Sequence, residues 1–162
     1  MLNPGTIACP TPSKPDWNPM TQNLLIGLAI ILATVCLHTL GLIAVTAVLV
    51  RVVAHFKLHE QRGRIAAMTL VVLGLFAVLT VEIWLWAGCY VLLGVVDHFE
   101  TALYFSTTTF STVGFGDVVP PVPWRLLTAL EGINGFLLIG WSTAYLISAG
   151  MRFGPFRSGE HF

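Results

Sequence analysis

Charge is what this sequence has least of. Only 10% of its 162 residues are Asp, Glu, Lys or Arg, against about 25% in an average soluble domain. With 56% hydrophobic residues, a membrane protein is expected rather than a soluble one. Acidic and basic residues balance to a formal net charge of zero, so nucleic acid is excluded as a partner, because its phosphates call for excess positive charge. Cysteine is also sparse. Cys9, Cys36 and Cys89 show neither metal nor redox spacing. Cys36 and Cys89 sit in apolar runs as packing residues, and Cys9 in a polar tail is either free or cross-linked. No internal repeat, nucleophile–base set or cluster of metal-ligating side chains stands out, so neither an enzyme nor a resident cofactor is expected.

What the chain has instead is three long apolar runs, Leu24 to Val50, Ile65 to about Val96, and Leu126 to Ala149. The first, at about 1.5 Å per residue, reaches roughly 40 Å, more than the roughly 30 Å hydrocarbon core of a bilayer. It is too long for a cleaved signal peptide, and no basic segment precedes it. The expected order is a tail (1–22), a span (23–50), a basic loop (51–64), a second span (65–96), a segment too short to cross (97–123), a third span (124–150) and a tail (151–162). The loop holds Arg51, Lys57, Arg62 and Arg64 against Glu60 alone. The positive-inside rule therefore puts it in the cytoplasm, with the N-terminus outside and the C-terminal tail inside. The loop reads either as an interfacial helix on anionic lipid or as a basic linker that fixes topology. Trp17, Trp84, Trp86, Tyr90 and Trp124 gather toward the expected outer interface.

The short segment opens with Asp97-His98-Phe99-Glu100, the spacing of a helix cap pair. A helix over Phe99 to Phe110 is expected, followed directly by Thr112-Val113-Gly114-Phe115-Gly116-Asp117. Two glycines alternate with side-chain-bearing residues in that motif. If the carbonyls of Val113, Gly114 and Phe115 are to point at one axis, the backbone must alternate between ordinary and left-handed dihedrals. Glycine takes the left-handed positions without a Cβ clash. The helix would aim the negative end of its dipole at a cation. Non-helical backbone at membrane depth is tolerated only where protein buries it or it lines a wet cavity, so this segment reads as a re-entrant loop. Pro120, Pro121 and Pro123 carry the chain back out.

This motif resembles the selectivity filter of potassium channels, in which rings of backbone carbonyls replace the hydration shell of the ion. Its Phe-for-Tyr form is similar to the pore loops of two-pore-domain potassium channels. The resemblance runs from about Val81 to Ser148. It implies an all-α membrane protein: an outer helix (65–96), a pore helix and filter (97–123), an inner helix (124–150) and one additional N-terminal helix. One chain supplies one filter strand, so a homotetrameric pore is implied. Potassium would be bound at Thr112, Val113, Gly114 and Phe115, with Gly116 completing the strand. The implied function is passive potassium conduction across the plasma or inner membrane. The alternatives are a weakly selective cation channel on the same fold and a non-conducting sensor or scaffold.

Residue by residue, the resemblance implies bracing of the filter by Asp117, Tyr104 and Phe105, with Ser111 at the cavity. Thr108 stands where one well-known bacterial channel has a glutamate, and Glu131 is expected to supply that carboxylate from the inner helix. Gly135 and Gly140 fall on family glycines, Gly135 on a proposed gating hinge. Phe136, Ile139 and Thr143 match cavity-lining positions, and Ser148 and Met151 mark the inner constriction. The chain departs from the family where Phe115 lacks a hydroxyl and Phe105 lacks an indole N–H, which puts filter stability in question. Arginines do not recur at three-residue spacing, so no voltage sensor is expected. The short stretch after the third span makes a cytoplasmic ligand-binding gate unexpected. The first span is expected to pack outside the outer helix, facing lipid. Glu82 is expected to be structural, bonded to a pore-helix hydroxyl, and His38 to be a packing histidine rather than a proton sensor.

Overall fold

The computed structural model describes residues 19–55 and 61–153. Its elements are α1 (Pro19–His55), α2 (Gln61–Leu92), α3 (Phe99–Phe110), a 3-10 turn (Val122–Trp124) and α4 (Arg125–Phe153). No strand occurs among the described residues. The helices α1, α2 and α4 are each long and apolar enough to cross a membrane, while the 12-residue α3 is not. The all-α reading and the count of three spans hold. Cys9, Trp17, Lys57, Glu60 and the C-terminal tail lie outside the described residues.

The basic loop is shorter than 51–64, because α1 continues to His55 and α2 begins at Gln61. Arg51 therefore rides on α1, and Arg62 and Arg64 ride on α2. The second span stops at Leu92 rather than Val96. Gly94 takes φ +67°, the Val95 N–H donates to the Tyr90 carbonyl at 2.9 Å and the Gly94 N–H to that of Val91 at 3.1 Å. This is a Schellman ending, which satisfies carbonyls left over at the helix terminus.

The range expected for α3 is met, but its cap is not Asp97. The N-cap is His98, in an extended conformation, and no side chain caps the helix. The first turn is closed by the Ala102 N–H on the His98 carbonyl, 2.9 Å. With His98 in the capping position, Asp97 falls one residue outside it. Glu100 still sits in the first turn, where the helix dipole favours an acid.

α1 does not sit outside α2. It packs against both α2 and α4. Its crossing with α2 is close because glycines stand at the contacts: a Cβ on Gly41 would lie 2.6 Å from the Val78 side chain, and one on Gly74 2.7 Å from that of Val45. Polar pairs pin α1 along its length. The Asn23 amide donates to the Pro123 carbonyl at 2.6 Å, the Asn134 amide donates to Thr34 Oγ1 at 3.0 Å, and Thr46 Oγ1 bonds Tyr145 OH at 2.8 Å.

Two apolar clusters hold the bundle. One gathers Ile30, Trp86, Tyr90, Phe105, Phe110 and Leu127 around the base of α3. The other, nearer the far end, joins Leu42, Leu49, Val71, Leu75 and Ala149. Trp86 and Tyr90 are fully buried, so they are core residues and not interface anchors; Trp84 is exposed and meets Phe99 edge-on at 6.3 Å.

Candidate functional site

α3 and the segment after it form one unit built on α4. At the end of α3, the Ser111 N–H donates to the Thr107 carbonyl at 3.1 Å and the Thr112 N–H to that of Thr109 at 3.0 Å. The Gly114 N–H then reaches back to the Thr108 carbonyl, 3.0 Å. That bond fastens the glycine segment to the last turn of α3. Thr108 thus holds the segment through its backbone, while its hydroxyl bonds the Phe105 carbonyl within α3 at 2.9 Å.

The backbone alternates as the motif requires, with one addition. Gly114 has φ +54° and Gly116 φ +79°. Thr112 is also left-handed, at φ +61°, and it is the one non-glycine residue with positive φ among the described residues. A β-branched residue there costs about 1–2 kcal/mol, so the surrounding bonds hold it against its own preference. Residues Thr112 to Asp117 are all exposed in a single protomer, Phe115 at 71%.

Outside this run, Tyr104 OH donates to Asp117 Oδ2 at 2.7 Å, and the Val118 N–H donates to Asp117 Oδ1 at 3.0 Å. The Tyr104 bond holds the Asp117 carboxyl below the usual carboxylate range, and the same bond raises the Tyr104 phenol. The expected pairing of these two residues is present.

Behind the segment, Glu131 is fully buried. It accepts from Ser106 Oγ of α3 at 2.5 Å and from Tyr90 OH of α2. Ser106 Oγ also lies 3.1 Å from the Ile83 carbonyl. One carboxylate therefore ties together α2, α3 and α4. Glu131 was expected to reach the pore helix, and it does; Tyr90 and Ser106 were missed, although Ser106 faces the same side of α3 as Ala102 and Phe105. Phe105 is buried against Tyr90, ring centroids 5.3 Å apart.

Glu82 does not bond a pore-helix hydroxyl. Its Oε1 lies 2.8 Å from His38 Nδ1, and both side chains are fully buried. The His38 ring lies against Trp141, centroids 5.2 Å apart. This pair joins α1 to α2 and is separate from the Glu131 cluster.

On α4, Gly135 meets the end of α3: a Cβ there would stand 2.1 Å from the Phe110 carbonyl oxygen. Gly140 has open space around it. Phe136, Thr143, Ser148 and Met151 are exposed on α4, and Ile139 is half-buried. The Thr143 hydroxyl is turned onto its own helix, to the Ile139 carbonyl at 2.9 Å.

Residues 76–152 match the model of a family described as ion channel, of the two-transmembrane, pore-loop kind. The matched stretch takes in most of α2, all of α3, the glycine segment and α4 up to Arg152, and leaves out α1. No curated protein and no solved structure matches the chain.

Proposed function

We propose that this chain, whose residues 76–152 match the model of an ion channel family, conducts potassium passively through a homotetrameric pore. The observation that carries the potassium reading is the left-handed alternation at Thr112, Gly114 and Gly116. It suits a strand that stacks its carbonyls toward one axis. Four such strands would form successive oxygen cages for a dehydrated cation, and repulsion between neighbouring ions would help each one leave. A strand exposed in one protomer is consistent with a site completed by further copies.

In this reading, potassium is coordinated by Thr112, Val113, Gly114 and Phe115. Asp117 and Tyr104 brace the outer mouth, and the Glu131 cluster holds the pore helix from behind. Phe136, Ile139 and Thr143 line the cavity, and Ser148 and Met151 form the inner constriction. The excess of arginine at the end of the bundle that carries Arg51, Arg62, Arg64 and Arg152 supports an orientation with that end in the cytoplasm of a plasma or inner membrane. The filter then enters from outside.

Flux into liposomes tests the proposal. With a potassium gradient, purified protein is expected to pass potassium and rubidium much faster than sodium. Equal sodium flux would leave only a weakly selective pore, and no flux under any condition would leave a scaffold. Gly114→Ala puts a Cβ at φ +54°, costing about 1–2 kcal/mol in each subunit, and is expected to abolish flux.

A further inference from the structure

The seating of α4 on its neighbours changes at Gly140. Before that glycine it is tight. A Cβ on Gly27 of α1 would stand 2.5 Å from Leu130 Cδ1, so the two helices approach closely there. The Asn23 amide holds the Pro123 carbonyl and the Asn134 amide holds Thr34. Leu127, Glu131 and Leu138 are buried. Gly135 abuts the Phe110 carbonyl, so a bend there would displace the end of α3.

After Gly140 the seating is loose. Among the described residues from Trp141 onward, Ala149 is the one buried apolar side chain, and it offers a single methyl. Ser142 is buried with its hydroxyl unpartnered. Clefts of about 470 and 190 Å³ open between α1 and this part of α4, the first beside Trp141 and the second beside Tyr145 and Ser148. A third, of about 210 Å³, opens toward α2 beside Ser142 and Leu146. Gly140 itself has nothing within 4 Å of where a Cβ would stand. An interior glycine weakens a helix, and this one has room to turn.

A hydrogen bond crosses the loose stretch. Thr46 Oγ1 donates to the Leu42 carbonyl of its own helix at 2.8 Å, which uses its one proton. Tyr145 OH is therefore the donor in the 2.8 Å bond between the two hydroxyls. We propose that this bond is a latch by which α1 holds the end of α4. Its release lets α4 bend at Gly140 into the clefts beside α1 and α2. On the channel reading, on which this last step rests, Ser148 and Met151 then shift off the shared axis and the inner constriction widens.

Hydrogen–deuterium exchange of the full chain in detergent, read on peptides before and after Gly140, tests the latch. Tyr145→Phe keeps the ring and removes the donor. It is expected to speed exchange after Gly140 about fivefold, the worth of one ordinary hydrogen bond, and to leave residues 125–139 unchanged. Thr46→Val is expected to do the same, and the double variant no more than either single change. Gly140→Ala added to Tyr145→Phe is expected to bring exchange back toward that of the unmodified chain. Unchanged exchange in Tyr145→Phe would overturn the proposal, as would a rise spread evenly along α4 or one that survives Gly140→Ala. In liposomes Tyr145→Phe is expected to raise potassium flux; faster exchange without higher flux in a conducting chain would overturn the widening. Faster exchange in a chain that never conducts would support the latch and sink the channel reading.

Discussion

Gly135 and Gly140 lie on one helix, both at positions where family glycines are expected, and at the scale of single residues their surroundings part them. A methyl at Gly135 would press on the Phe110 carbonyl at 2.1 Å, whereas one at Gly140 meets nothing within 4 Å. Gly135→Ala is therefore expected to destabilise by about 1–3 kcal/mol through overpacking and to displace the end of α3, with loss of flux. Gly140→Ala is expected to leave the fold intact or to stabilise α4 by about 0.5–1 kcal/mol. Thermal unfolding in detergent beside liposome flux checks both; equal losses of flux with unchanged melting would make the two glycines hinges of one kind. The Tyr104–Asp117 bond gives a pH prediction. Asp117 is held below its ordinary value chiefly by the Tyr104 hydrogen bond. A lowered carboxylate stabilises the bonded form above its ordinary value, and that stabilisation is lost as pH falls through the lowered one. Flux is expected to hold through neutral and mildly acidic external pH and to fall only below the usual carboxylate range. Tyr104→Phe should move that loss to higher pH, and an unchanged acid limb would show that the bond does not brace the mouth.

Single-residue geometry becomes element geometry at the buried carboxylates. His38 and Glu82 lie between α1 and α2 with no exposure, and both His38 Nε2 and Glu82 Oε2 lack a partner among the described residues. Removing one member leaves the other uncompensated, which costs about 3–5 kcal/mol, while replacing both with apolar residues is often neutral. His38→Leu and Glu82→Leu are each expected to lower the melting temperature sharply, and the double variant to recover most of the loss. A double variant no better than the sum of the singles would show that the two do not act as a pair. At Glu131, Tyr90→Phe removes one donor and is expected to cost about 1.5–3 kcal/mol if the carboxyl is charged, or about 1 kcal/mol if it is neutral; the measured melting shift distinguishes the two states. These elements also mark where the sequence is legible. The bounds of α3 can be read because an apolar run gives way to Asp97-His98 and then to a glycine motif. Gly94 signals the end of α2 once it is weighed as a helix terminator. Left-handed Thr112 cannot be read, because its conformation is imposed by bonds to α3. The partner of Glu82 cannot be read either, because it lies 44 positions away on a helix whose seat is decided by packing.

For the whole molecule, the family match and the bonded unit do not coincide. The matched region begins at Phe76, yet α1 supplies His38 to Glu82 and Thr34 to Asn134. Composition makes α1 look like a lipid-facing addition, since hydrophobic side chains surround it on every side. Thr34, His38 and Thr46, one and two turns apart, are a sign in the sequence that it faces protein. A chain lacking residues 1–60 would expose Glu82 to lipid or to an empty seam. An unpaired acid at membrane depth costs at least about 2.5–3.5 kcal/mol, and the Asn134 amide would be left without Thr34. The truncated chain is therefore expected to give little stable oligomer on size exclusion in mild detergent, although it keeps the whole family region. Adding Glu82→Leu and Asn134→Leu to the truncation should restore part of the yield, because both orphaned groups are then gone. If the simple truncation assembles as well as the full chain, α1 is dispensable. If the leucine substitutions rescue nothing, α1 acts through the apolar packing of Ile30, Leu42 and Leu49 rather than through its polar pins.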